Sequence, residues 1–178
     1  MNKLIENDKY LIFKAIKGQG ESFGALFDKY SNKIYRYIYY KVSRKEVAED
    51  LASQCFLKAW EHISQKQTII KNFQSFIYKI ARNLIIDYYR SREKEELPLI
   101  YQMEQNSEIL SFAPDVNLDK EELEKILFKL KPDIREIIVL RYIEGFSIKE
   151  IAKIVDKSTG NIRVIIHRTL NELQQFFK

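Results

Sequence analysis

"SIKEIAKIVDKSTGNIRVIIHRTL", Ser147 to Leu170, reads as two short helices joined by a tight turn. Ser147 and Glu150 have the spacing of a capping box, which gives the first helix a defined start. Ile148, Ile151, Ala152 and Val155 then fall on one face. Ser158 is a good N-cap for the second helix, whose buried stripe is Ile162, Ile165, Ile166, Thr169, Leu170 and Leu173. The opposite side presents Gly160, Arg163, Val164, His167, Arg168 and Asn171, and no acidic residue lies between Lys157 and Asn171. A merely solvated helix usually mixes its charges. Gly160 near the helix start admits a sugar-phosphate backbone, and the free amides of a first turn favour a phosphate. The pair therefore reads as a DNA-binding helix-turn-helix. Plain packing is the competing reading, and His167 gains weight only from standing between Arg163 and Arg168.

Composition points the same way. At 178 residues with 46% hydrophobic content, the chain can build one ordinary domain or two small ones. With 31% charged residues, five Gly and three Pro, it is expected to be a helix-rich soluble protein. Its apolar runs, such as "IIVL" (Ile137 to Leu140), fall far short of the roughly 20 residues of a bilayer span. The start lacks the apolar stretch of a signal peptide, so a cytoplasmic location with no membrane insertion is expected. Cys55 is the only cysteine, which excludes an internal disulfide, and two histidines make no metal cluster. No metal or other cofactor is expected.

The net charge of +5 is unevenly spread. Residues 1–92 carry 17 Lys/Arg against 9 Asp/Glu, residues 93–124 carry 2 against 10, and residues 125–178 carry 11 against 6. Two basic blocks flank an acidic one. Basic blocks suit a polyanion, because each neutralised phosphate releases counterions. Charge alone fits solvated helix surfaces equally well.

The chain reads as all-α: two small helical domains joined by an extended acidic linker. Phe23, Leu26, Phe27, Tyr30, Ile34, Tyr37 and Ile38 line the apolar face of a first helix. Ser43 and Glu46 have capping-box spacing and start a second, "VAEDLASQCFLKAWEHI"; a loop from about Ser64 to Asn72 leads to a third, "FIYKIARNLIIDYYRSR". Residues 93–117 hold two of the three prolines and no sustained period, and form the linker. Residues 118–178 follow with "LDKEELEKILFKL", then "KPDIREIIVLRYIEG", opened by Pro132, then the quoted pair.

On the second helix Ala48, Leu51, Ala52, Cys55 and Ala59 face inward, while Asp50, Gln54, Leu57 and Glu61 share the outer side. Acid, amide and an exposed leucine in one stripe look like a protein-docking surface, with simple solvation as the alternative. The third helix turns Ile77, Ile80, Ala81, Leu84, Ile85 and Tyr88 to the core and leaves Lys79, Arg82, Asn83, Ile86, Tyr89 and Arg90 outside. Cations, an amide and a ring on one face can hold a single strand. Phe76 reads as core, and Asp87, at the stripe's edge, as structural.

"AEDLASQCFLKAW", "FIYKIARNLIIDYYR" and "LRYIEGFSIKEIAKIVDKSTGNIRVIIHR" together resemble a sigma-70 family RNA polymerase sigma factor of the two-domain, extracytoplasmic-function type. The resemblance covers nearly the whole chain, in the family's order and spacing. It implies that residues 1–92 are sigma region 2 and residues 118–178 are sigma region 4. Asp50 and Gln54, with Leu57 and Glu61 beside them, match the helix that docks on the clamp of core polymerase. Lys79, Arg82, Asn83, Ile86 and Arg90 match the surface that holds the melted −10 strand. The loop Ser64 to Asn72 matches the one that captures a flipped base. Arg163, Val164, His167 and Arg168, with Ser158 and Gly160, match the −35 reading helix, and Arg141 matches a backbone contact. The linker would thread toward the polymerase active centre. An anti-sigma factor is a further implied partner. Two departures stand out: Phe76 where the family has Trp, and Asp156–Lys157 in a turn that often has Gly.

The function expected is promoter recognition and strand opening for core RNA polymerase, with no catalysis of its own. A stand-alone dimeric helix-turn-helix regulator is the alternative, and it leaves the Asp50–Gln54 stripe without a role. A resolvase-like enzyme would need strands and a nucleophile that residues 1–92 do not offer.

Overall fold

The computed structural model describes residues 7–66, 70–94 and 120–176. They belong to two compact units, Met1–Ile100 and Tyr101–Lys178. All regular structure among the described residues is helical. The linker expected over 93–117 falls, but for its first two residues, outside them.

The first unit holds α1 (Asp8–Ile16), α2 (Gly20–Val42), α3 (Lys45–Lys66) and α4 (Phe73–Lys94). Helices α2, α3 and α4 pack together because each presents a stripe of large and small apolar residues. Leu26, Ile34, Tyr37 and Ile38 from α2 meet Ala48, Cys55, Ala59 and Ile63 from α3, and Phe73, Ile77, Tyr78, Ala81 and Ile85 from α4, all buried. Tyr37 and Tyr78 lie ring to ring at 5.1 Å in its middle. Cys55 Sγ donates to the Ile77 carbonyl at 3.5 Å, and burial pushes its thiol up to about 12, so it stays protonated and unreactive.

Helix α1 precedes the first helix expected from the sequence and is fully formed. Asn7 caps it by accepting from the Lys9 N–H at 3.0 Å. Gly18 ends it at φ 86°, with the Gln19 N–H reaching back to the Lys14 carbonyl at 3.1 Å. Leu11, Ile12 and Ala15 are buried. Asp8 accepts from the Tyr30 hydroxyl and pairs with Lys29 at 2.7 Å, which ties the start of α1 to α2.

Three expectations in this unit need correcting. Ser43 does not open α3: it closes α2 in the left-handed conformation, φ 55°, and Arg44 is the residue whose carbonyl takes the first bond of α3, from Ala48. Tyr89 is not an outward ring, because its hydroxyl donates to the Lys41 carbonyl at 2.7 Å and satisfies an end group of α2. Asp87 does not stand at the edge of the buried stripe: its side chain is 69% exposed, 4.0 Å from Arg90.

The second unit holds α5 (Lys120–Lys129), α6 (Pro132–Ile138), a π-helical turn (Val139–Ile143), α7 (Ile148–Val155) and α8 (Thr159–Phe176). Pro132 opens α6 at its first turn, as expected. The stretch through Glu144 is no single α-helix, however, since the Glu144 N–H bonds to the Val139 carbonyl, one residue farther back than an α-helix would place it. The core is Leu127, Ile137, Ile138, Val139, Leu140, Phe146, Ile151, Ile154, Val155, Ile162 and Ile166. Arg135 is buried among these and donates to the Leu127, Phe128 and Leu130 carbonyls at the end of α5.

Candidate nucleic-acid and partner interfaces

The helix-turn-helix forms as its caps dictate. The Ser147 hydroxyl accepts from the Glu150 N–H at 3.3 Å, while the Glu150 carboxylate accepts from the Ser147 N–H at 2.9 Å. Asp156 ends α7 at φ 54°, and the Lys157 N–H closes the turn on the Ala152 carbonyl at 3.0 Å. Aspartate thus fills a left-handed position suited to glycine, which a short polar side chain tolerates at some cost. Asp156→Gly is expected to stabilise the unit by about 0.5 kcal/mol, the relief being partly offset by a looser unfolded chain. A urea midpoint that fails to rise would contradict the strain.

Ser158 then caps α8: its hydroxyl accepts from Asn161 N–H at 3.2 Å and its carbonyl from Ile162 N–H at 3.1 Å. Ile162, Ile166 and Thr169 are buried, and Ile165, Leu170 and Leu173 are half-buried. Gly160, Arg163, Val164, His167, Arg168 and Asn171 are all exposed. Val164, a large apolar residue, is 48% exposed in the middle of that face. A Cβ at Gly160 would meet only the Ser158 hydroxyl, at 4.0 Å. Among the described residues nothing crowds that position. The Asn171 amide nitrogen lies 3.4 Å from His167 Nδ1, one turn away on the same face. Arg141, half-buried on the π-helical turn, donates through Nη1 to the Phe146 carbonyl at 2.9 Å and so braces the loop that leads into α7.

On α3 the stripe is continuous. Gln54 Nε2 donates to Asp50 Oδ2 at 2.8 Å, one turn apart. Leu57 is 58% exposed and Glu61 is exposed. Phe27, assigned from the sequence to the core stripe of α2, is in fact 44% exposed and lies edge-on against Phe56 at 4.7 Å. Phe23 meets Trp60 at 5.1 Å in the same helix pair. The apolar stripe of α2 is wider than its partners cover, and Phe27 is the surplus.

On α4, Lys79, Asn83 and Arg90 are exposed, while Arg82 and Ile86 are half-buried. Phe76 is only half-buried, 4.9 Å from the His62 ring and 6.3 Å from Phe73. Asn72 caps α4 by accepting from the Ser75 N–H at 2.9 Å. Helix α3 runs to Lys66, past the expected loop start at Ser64, and residues 67–69 of that loop lie outside the described ones. Among the described residues no helix is long and apolar enough to cross a membrane.

Comparison with known proteins matches both units. The Sigma-70 region 2 family matches residues 26–95, and the Sigma-70, region 4 family matches residues 120–173. The ECF RNA polymerase sigma factor BldN of Streptomyces coelicolor is 33% identical over 166 residues, covering 92% of this chain and 63% of its own. This chain therefore spans under two thirds of that relative's length. The ECF RNA polymerase sigma factor SigM of Bacillus subtilis is 30% identical over 156 residues, covering 85% of this chain and 93% of its own. Among solved structures, the sigma factor RpoE of Bartonella quintana, in complex with the anti-sigma factor NepR, aligns with a TM-score of 0.69 at 25% identity. That alignment covers 88% of this chain and 97% of RpoE.

Proposed function

The chain belongs to the sigma-70 family of RNA polymerase sigma factors, in its extracytoplasmic-function branch, and from that premise we propose how its surfaces divide the work of promoter-specific initiation. Residues 1–92 act as region 2, residues 93–117 as the linker and residues 118–178 as region 4. Asp50, Gln54, Leu57 and Glu61 dock on the clamp of core polymerase. Lys79, Arg82, Asn83, Ile86 and Arg90 hold the melted −10 strand, with cations on phosphates and the amide on a base edge. Ser158, Gly160, Arg163, Val164, His167 and Arg168 enter the major groove at the −35 element, supported by Arg141. The protein brings specificity and strand opening and does no catalysis of its own. An anti-sigma factor is a proposed partner, on the likeness to RpoE.

The observation that carries this reading is the outward face of α8. It is exposed, free of acid from Lys157 to Asn171, and starts with a capped turn whose glycine nothing among the described residues crowds. A stand-alone dimeric regulator would use the same face but leaves the region 2 match over residues 26–95 without a task.

Arg163→Ala is the test. Loss of a direct base contact is expected to weaken holoenzyme binding to the −35 element by about 1–3 kcal/mol and to relax preference at one position. Arg168→Ala should instead weaken binding evenly across sequences, as a phosphate contact does. Unchanged affinity and preference in the Arg163 variant would show that this face does not enter the groove.

A further inference from the structure

Helix α1 precedes the part of the chain that the region 2 family matches, which begins at residue 26. Its inner side is committed to the core through Leu11, Ile12 and Ala15. Its outer side is unusual. Tyr10, Phe13, Lys14 and Lys17 stand at i, i+3, i+4 and i+7, so they share one face. Tyr10 is 37% exposed and Phe13 54%, two of the six large apolar side chains that are exposed among the described residues. Lys14 Nζ sits 4.8 Å from the Tyr10 ring centroid, and Lys17 Nζ 4.3 Å from that of Phe13. No acidic residue occurs from Lys9 to Gly20, and Asp8 is engaged by Tyr30 and Lys29.

We propose that this face of α1 is a sequence-independent holding site for single-stranded DNA, separate from the α4 surface. The proposal rests on the reading that the chain handles a melted promoter strand. Two ammonium groups held against rings supply phosphate contacts, and exposed rings one turn apart supply stacking surface for unpaired bases. Duplex DNA would use the lysines and leave the rings idle. An acidic peptide offers carboxylates but nothing planar for the rings. An anionic membrane is a poorer fit still, because the apolar side a surface helix would insert is already buried in the unit.

The experiment uses the full chain without polymerase and a short fluorescent oligothymidylate, titrated across a salt series. Lys14→Gln with Lys17→Gln is expected to lower affinity about tenfold and to flatten the slope of log K against log salt by about 1.4, two phosphates at about 0.7 each. Phe13→Leu should weaken binding several-fold without changing the slope, because it removes stacking and no charge. Circular dichroism checks that each variant is folded. A folded double-lysine variant with wild-type affinity and slope overturns the proposal. So does a double variant that loses binding to phosphatidylglycerol vesicles but keeps the oligonucleotide. Asn83→Ala, on the exposed face of α4, is run beside it on the same oligonucleotide: wild-type binding there counts against the melted-strand reading of α4 and leaves the α1 result standing.

Discussion

Arg135→Ala is expected to destabilise the C-terminal unit by about 2–4 kcal/mol, since it strips a charged donor from buried carbonyls and leaves a cavity. Arg135 is 6% exposed. Its Nε donates to the Leu127 carbonyl at 2.9 Å, and its Nη2 to the Phe128 and Leu130 carbonyls at 3.2 and 3.1 Å. Its guanidinium also lies 4.6 Å from the Phe128 ring centroid. The Phe128 and Leu130 carbonyls lie at the end of α5, where an α-helix has no partner of its own for them and a positive charge is favoured, while the Leu127 carbonyl also accepts from the Leu130 N–H at 3.1 Å. A hydrogen bond from a charged donor contributes about 1.5–3 kcal/mol, and the three are not additive because one group makes them all. Alanine removes the donors, leaves carbonyls at the end of α5 short of them, and opens a cavity. Urea unfolding followed by circular dichroism should show the midpoint of this unit falling at nearly constant slope. Arg135→Lys should recover only part of the loss, since one ammonium cannot span three carbonyls as a planar fork does. An alanine variant that unfolds with the wild type would mean that α5 is held by its apolar contacts alone.

Little of this was legible in the sequence. "PDIREIIVL" shows a charged residue beside an apolar run, and nothing local says that its side chain turns back to the previous helix. The helix-turn-helix was legible because its information is local. Ser147 with Glu150 fixes one start, Ser158 fixes the next, and each stripe follows from helical spacing. Ser43 misled by the same logic, since a serine three residues before a glutamate reads as a box, whereas the chain reverses in a left-handed turn there. The positions of Tyr78 and Tyr89 do not follow from helical spacing, because an aromatic ring reaches well beyond its helical sector. Tyr78 is fully buried against Tyr37, and Tyr89 crosses to the Lys41 carbonyl. Helix α1 escaped because three buried residues in nine make a weak period, although Asn7 and Gly18 punctuate both its ends.

Asp50→Ala with Gln54→Ala is expected to remove most binding to core RNA polymerase while leaving the chain folded. The two side chains stand one turn apart on α3 and hold each other through the 2.8 Å bond from Gln54 to Asp50. That bond fixes the carboxylate's orientation, so a partner meets a preset acceptor rather than a mobile one. Leu57, 58% exposed, continues the stripe, and Phe27 adds apolar surface from α2. An apolar anchor beside an oriented polar pair is the arrangement in which a few residues dominate binding, at about 2 kcal/mol or more each. The double variant should therefore lose at least about a hundredfold in affinity, near 3 kcal/mol. The fold has little reason to suffer, since alanine is the best helix former, Asp50 is exposed and Gln54 is only half-buried. Ser53→Ala, on the same helix with its hydroxyl spent on the Glu49 carbonyl, serves as the control and should bind as wild type. Titration of labelled chain with core polymerase reads all three. Gln54→Ala alone is the informative intermediate. If the pair acts as a unit, freeing the Asp50 carboxylate costs nearly as much as removing both, whereas independent contacts would share the loss. A folded double variant that binds core polymerase like the wild type would take the docking role away from this stripe.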